Sequence, residues 1–118
     1  MIGALDRLTK HTYIGCMDRE TVISTIRHHE DELRAAGVTG LSLFGSVARD
    51  EATETSDIDV AVLLEDRILE SGLTYFRVVG ELKERLEEIT GRPVDVVTEP
   101  IGRTRLAQEI ERDRKVAF

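Results

Sequence analysis

Gly45-Ser46-Val47-Ala48-Arg49 is followed, after a polar stretch, by Ser56-Asp57-Ile58-Asp59. A Gly-Ser turn after the apolar run Leu41-Ser42-Leu43-Phe44 can lead a strand into a helix whose first N–H groups lack intrahelical partners, and such amides attract phosphate. Asp57-Ile58-Asp59-Val60-Ala61-Val62-Leu63-Leu64 reads as a strand. Alternate residues of a strand share a face, so Asp57 and Asp59 are expected on one side, roughly 7 Å apart at their backbones. Both carboxylates could then converge on one hard cation or bridge two.

A third acid, Asp95, lies in the short apolar run Arg92-Pro93-Val94-Asp95-Val96-Val97, where an uncompensated charge is costly to bury. Three clustered aspartates carry about −3 and a nucleoside triphosphate roughly −4 more, so the bare site would repel its own substrate. Two Mg²⁺ ions reverse that repulsion. Magnesium favours carboxylate and phosphate oxygens, and a metal pair can stabilise both the attacking and the leaving oxygen of an in-line phosphoryl displacement. Taken singly, each signal is ordinary: an Asp-x-Asp is usually a solvated face, a Gly-Ser pair a simple turn, and Asp95 an edge-strand acid facing water. The order strand, Gly-Ser, strand with Asp-x-Asp, helix, strand with Asp is what points to metal-dependent phosphoryl chemistry.

Several further elements must position these residues. Asp18 is suited to cap a helix over residues 19–36, in which Val22, Ile26, His29 and Leu33 mark one face and which Gly37 ends. Its His28-His29 pair reads as a solvated face, because neighbours on a helix diverge by about 100°. Between Leu73 and Ile89 the apolar positions Leu73, Phe76, Val79, Leu82, Leu86 and Ile89 predict an amphipathic helix crossing over the sheet, stopped by Gly91 and Pro93. Residues 104–113 repeat the helical pattern through Leu106, Ala107 and Ile110. Val116-Ala117-Phe118 reads as a last short strand or a sticky terminus. Residues 1–16 lack sustained periodicity and Met17-Asp18 reads as a second start. A leader over residues 1–17, disordered or from an upstream start, and one domain over 18–118 are therefore expected.

With 118 residues, 41% hydrophobic and 4% aromatic, the chain has enough apolar material for one α/β domain with a modest core of Val, Leu, Ile and Ala. The net charge of −7 and a pI near 5.0 argue against a nucleic-acid backbone as the main ligand and favour a basic protein partner or a metal-neutralised nucleotide. Cys16 is the single cysteine and no stretch has the apolar length of a signal-peptide core or a membrane span, so a cytoplasmic location without membrane association is expected. One catalytic fold of this size leaves little room for a second domain that would recognise a tRNA end, an antibiotic or a DNA primer. An acceptor carried on a partner protein follows.

Three blocks, Leu43-Phe44-Gly45-Ser46-Val47-Ala48-Arg49, Ser56-Asp57-Ile58-Asp59-Val60-Ala61-Val62 and Gly91-Arg92-Pro93-Val94-Asp95-Val96-Val97, resemble the minimal nucleotidyltransferase (MNT) domains of the DNA polymerase beta-like superfamily, across about residues 18–118. The resemblance implies an α/β (α+β) fold with a small mixed sheet flanked by helices. It implies that Asp57 and Asp59 bind metal, that Asp95 is the third acid and activates the attacking hydroxyl, and that Gly45 and Ser46 hold the triphosphate. Arg49 matches the Gly-Ser-x-Ala-Arg block, where it would assist the phosphates or anchor the loop; a surface ion pair with Asp50 or Glu51 is the competing reading. Many MNT domains are antitoxins of HEPN-domain ribonucleases, and some resemble adenylyltransferases that place AMP on a toxin tyrosine. The implied function is therefore Mg²⁺-dependent transfer of AMP from ATP to a hydroxyl, a tyrosine of a HEPN toxin, in a chain for which a homo-oligomer is also compatible. The alternative is a catalytically weak binding module that neutralises its partner by complex formation.

Overall fold

The computed structural model describes residues 18–53, 55–102 and 104–118, so the leader expected over residues 1–17 lies outside the described residues. Asp18 caps α1 (Arg19–Arg27), its carboxylate accepting from the Glu20 amide and the Thr21 hydroxyl. The chain continues through α2 (Glu30–Ala35), β1 (Val38–Phe44), α3 (Gly45–Ala48), β2 (Ile58–Leu64), α4 (Asp66–Leu69), α5 (Leu73–Thr90), β3 (Val94–Glu99), α6 (Arg105–Asp113) and β4 (Lys115–Val116). The four strands form one mixed sheet in the order β3-β2-β1-β4. β1 is antiparallel to β2 and β4, and β2 is parallel to β3, with α5 making the crossover that parallel strands require. The mixed sheet flanked by helices agrees with the architecture expected from the sequence.

Alternation along the strands divides the sheet into two unequal faces. Leu41, Leu43, Ile58, Val60, Val62 and Val94 belong to the main core with Val22, Ile26 and Leu33 of α1 and α2 and Leu82 and Leu86 of α5. The opposite face carries a smaller cluster of Phe44, Ala61 and Ile110, with Val97, Ile101 and Leu106 packed beside it. Asp59 and Asp95 occupy odd positions in β2 and β3 and so lie on this second, thinner face. The heavy helical layer therefore stabilises the sheet without covering the acids.

Three local expectations change. The single helix over 19–36 is two: the His29 amide bonds the Ile26 carbonyl at 2.9 Å, an i→i−3 contact, and α2 begins anew from His29. The break lets Leu33 join Val22 and Ile26 in one core, and His28 is exposed as anticipated. In α5, Leu82 and Leu86 are buried, but Leu73 and Phe76 are 87% and 69% exposed. The first turns direct Tyr75 and Val78 inward beside the expected Val79, and the Tyr75 hydroxyl lies 2.5 Å from Thr98 Oγ1. Finally, β2 begins at Ile58, so Asp57 precedes the strand. Gly91 stops α5 at φ 70° as expected, and α6 starts after Thr104, whose side chain accepts from the Ala107 amide at 3.2 Å.

Candidate active site

Asp59 and Asp95 are register partners across the parallel β2–β3 ladder, and Phe44 pairs with Asp59 on the other side of β2. The next residue, Gly45, turns the chain out of β1 at φ 75° into the single turn of α3. A methyl group built on Gly45 would collide with Asp59 Oδ2 and stand 3.3 Å from its Cγ. Gly45 thus serves both the backbone turn and the close approach of the carboxylate. The three residues Asp95, Asp59 and Gly45 lie in that order across β3, β2 and the end of β1.

The Asp59 carboxyl is pushed up to about 6, first by its partial burial, then by the negative charges of Asp95 and Asp57 and a side-chain hydrogen bond with Asp95, with Arg49 opposing the shift. A neighbouring cation would relieve this crowding. Asp57 is exposed and is carried on a turn in which the Thr53 amide donates to Ser56 Oγ at 2.9 Å. Arg92 secures that turn to the start of β3 by donating to the Thr53 and Ser56 carbonyls at 3.2 and 3.3 Å. Among the described residues, no three His, Cys, Asp or Glu side chains converge closely enough to form a metal-holding group by themselves. Asp59 and Asp95 form a pair, with Asp57 to one side. This donor set suits magnesium, which takes one or two carboxylates and completes its shell with water and substrate phosphates.

Arg49, at the C-terminal end of α3, donates to Glu51 Oε1 and to Asp113 Oδ2, each at 2.7 Å. The Asp113 side chain is only 4% exposed, and hydrogen bonds first from Arg112 and then from Arg49 hold its carboxyl below the usual range. The anticipated surface pair with Glu51 is present, and a second, partly buried pair joins α3 to α6. Sequence reasoning missed Asp113, because an acid in the last turn of a helix carries no signal of its partner. Beside Asp59 and Asp95 opens a cleft of about 580 Å³ bounded by Val79, Gly80 and Lys83 of α5 and by Leu106 and Glu109 of α6. No motif marked that cleft either.

A nucleotidyltransferase domain model matches residues 26–117. Protein adenylyltransferase MntA of Thermococcus cleftensis is 35% identical over 95 residues, covering 80% of this chain and 90% of that protein. A Methanocaldococcus jannaschii relative is 45% identical over 62 residues, 52% of this chain and 60% of its own. Among solved structures, one of a minimal nucleotidyltransferase superposes with a TM-score of 0.63 at 35% identity, covering 83% of this chain and 94% of that one. A chain from the Shewanella oneidensis complex of a tri-AMPylated HEPN toxin with its MNT antitoxin shares the fold, with a TM-score of 0.54 at 22% identity over 85% of this chain and 71% of that one. The chain belongs to the nucleotidyltransferase domain family, as a minimal member of that class of enzymes. Among the described residues, no helix is long and apolar enough to cross a membrane.

Proposed function

We propose that the chain transfers AMP from ATP to a tyrosine hydroxyl of a HEPN-class toxin and thereby acts as its antitoxin. The observation that carries this reading is the in-register pair of Asp59 and Asp95 set against Gly45, in a fold shared with a protein adenylyltransferase. Asp57, Asp59 and Asp95 would hold Mg²⁺, two ions in the full complex, and the metal would supply charge neutralisation at the transferring phosphoryl group. The first amides of α3 at Gly45 and Ser46 receive the β- and γ-phosphates. Asp95 takes the proton of the acceptor hydroxyl, whose oxygen bonds to the α-phosphorus while the bond from that phosphorus to the bridging oxygen breaks and pyrophosphate leaves. Arg49 acts as an anchor of α3, with its charge also favouring the ionised form of Asp59. Use of ATP agrees with action in the cytoplasm. The MntA relative and the tri-AMPylated toxin in the S. oneidensis complex support the choice of AMP and of the partner class.

The test is incubation of the protein with α-labelled ATP, Mg²⁺ and a candidate HEPN-class partner protein. Label is expected on a tyrosine of that protein, with Asp57→Asn and Asp59→Asn each lowering the rate by about 100-fold or more. Absence of transfer by the wild type, or undiminished transfer by both variants, would overturn the reading. The exposed Leu73 and Phe76 favour a second reading, a binding module that neutralises its partner by covering it. Full protection of cells by the triple variant Asp57→Asn, Asp59→Asn, Asp95→Asn would select that one.

A further inference from the structure

β3 is the outer strand of the sheet on the side of the acids. The Ile58 amide donates to the Pro93 carbonyl at 2.9 Å, so the peptide groups of Pro93, Asp95 and Val97 turn towards β2, while those of Val94, Val96 and Thr98 turn away from it. The chain itself closes the beginning of this free edge, where the Val94 amide donates to Glu87 Oε2 at 3.1 Å. Beyond it, the edge at Val96 borders the cleft between α5 and α6. Among the described residues no strand pairs with this edge, and an edge of this kind is a template for one more strand.

Gly80 supplies the room. A glycine inside a helix costs about 1 kcal/mol relative to alanine, yet a side chain built at Gly80 would meet nothing within 4 Å. Among the described residues the position needs no glycine for packing, and its bare surface forms part of the cleft wall. The order Asp95, Asp59, Gly45 across the sheet adds a direction. In an in-line displacement the attacking and leaving oxygens stand on opposite sides of phosphorus. With pyrophosphate leaving on the Gly45 side, the acceptor comes from the β3 side.

We propose that the outer edge of β3 is the docking site of the acceptor protein, which adds an extended segment to the sheet, its hydroxyl-bearing residue facing Asp95 and the residues on either side of it facing Gly80. This rests on the transfer reaction proposed above for its chemistry and for the side of approach, whereas the outer position of β3 and the open space at Gly80 do not depend on it. Backbone pairing with Val96 and Thr98 gives affinity that depends little on acceptor sequence, and the Gly80 notch restricts the neighbouring side chains.

The probe is the capped peptide Thr-Val-Tyr-Val-Thr, with one form N-methylated at Tyr and another N-methylated at both Val residues. Because alternate amides of a strand point to opposite sides, one methylated form should lose AMP labelling by roughly tenfold or more while the other keeps it, one hydrogen bond being worth about that factor. In ¹⁵N-labelled protein without ATP, the peptide should slow hydrogen exchange at the Val96 and Thr98 amides. Val96→Pro, which removes an outward donor but no ladder bond, and Gly80→Leu should each lower peptide labelling by about tenfold, with Mg²⁺-dependent binding of a non-hydrolysable ATP analogue kept within about twofold.

Equal labelling of both methylated forms, or unchanged exchange at Val96 and Thr98, overturns the proposal. So does protection of those amides by the ATP analogue alone, which would assign the edge to the nucleotide. A concentration-dependent dimer abolished by Val96→Pro would assign it to a second copy of this chain. If no acceptor is ever labelled, the transferase reading fails and the ATP-free exchange measurement still decides the docking site.

Discussion

The Asp59 carboxylate lies against the α-carbon of Gly45 so closely that no β-carbon fits between them. This contact joins the bend that would receive phosphates to the acid that would hold metal, and it makes Gly45 as specific to the site as the acids themselves. Gly45→Ala forces either the positive φ of residue 45 or the Asp59 rotamer to change. We expect a loss of about 1–3 kcal/mol in stability by denaturant unfolding, and a loss of AMP transfer larger than that destabilisation explains when assayed well below Tm.

Asp59 carries the clearest pH signature. Its folded value of about 6 lies above the ordinary 3.8, so between those values the folded state holds a proton that the unfolded state has released. Stability from this group is therefore full below about 3.8 and falls as pH rises towards 6. Asp59→Asn should remove that slope and raise stability near neutrality by on the order of 1 kcal/mol, after allowance for solvent screening. Carboxyl ¹³C NMR of the Mg²⁺-free protein should show the titration near pH 6, and added Mg²⁺ should move it downward.

Arg49 separates an anchor from a phosphate ligand. Arg49→Ala leaves the buried Asp113 with Arg112 as its remaining cation among the described contacts, at 3.0 Å. Tm should fall, while affinity for an ATP analogue measured below the transition should change less than about threefold. A large affinity loss with unchanged Tm would instead put the guanidinium on the nucleotide. Arg49→Lys should recover only part of the stability, since a single ammonium cannot reproduce the two-branched contact with Glu51 and Asp113.

Along α5 the consequences of truncation should differ with position. Leu86 is fully buried, so Leu86→Ala should cost about 2–5 kcal/mol in urea unfolding. Phe76, being 69% exposed, should tolerate Phe76→Ser within about 0.5 kcal/mol. If the partner covers this region, the same substitution would weaken the complex without affecting the fold.

Much of the domain was legible because short-range chemistry specifies it. The Asp18 cap, the Gly37 and Gly91 stops and the strands around Leu43, Val60 and Val96 each follow from residues within a few positions of one another. The inward seam of α5 was displaced because Leu73 and Phe76 fit the helical period as well as Tyr75 and Val78 do. Periodicity identifies an amphipathic pattern, but the placement of the helix against the sheet decides which side is covered. The division of the first helix has the same origin, since Leu33 reaches the core only after the tightened turn at His29.

By itself the sequence determined the candidates for the site, namely the Gly-Ser bend and the three aspartates, and the alternation that sends Asp59 and Asp95 to the face away from the main core. Tertiary structure alone decided the pairings, namely Asp59 beside Asp95, Gly45 under Asp59, Arg49 on Asp113 and a free β3 edge beside Gly80. Each pairing joins residues distant along the chain, and distance in sequence carries no information on register or sheet order. Those are settled only when the two faces of the sheet find the helices that cover them.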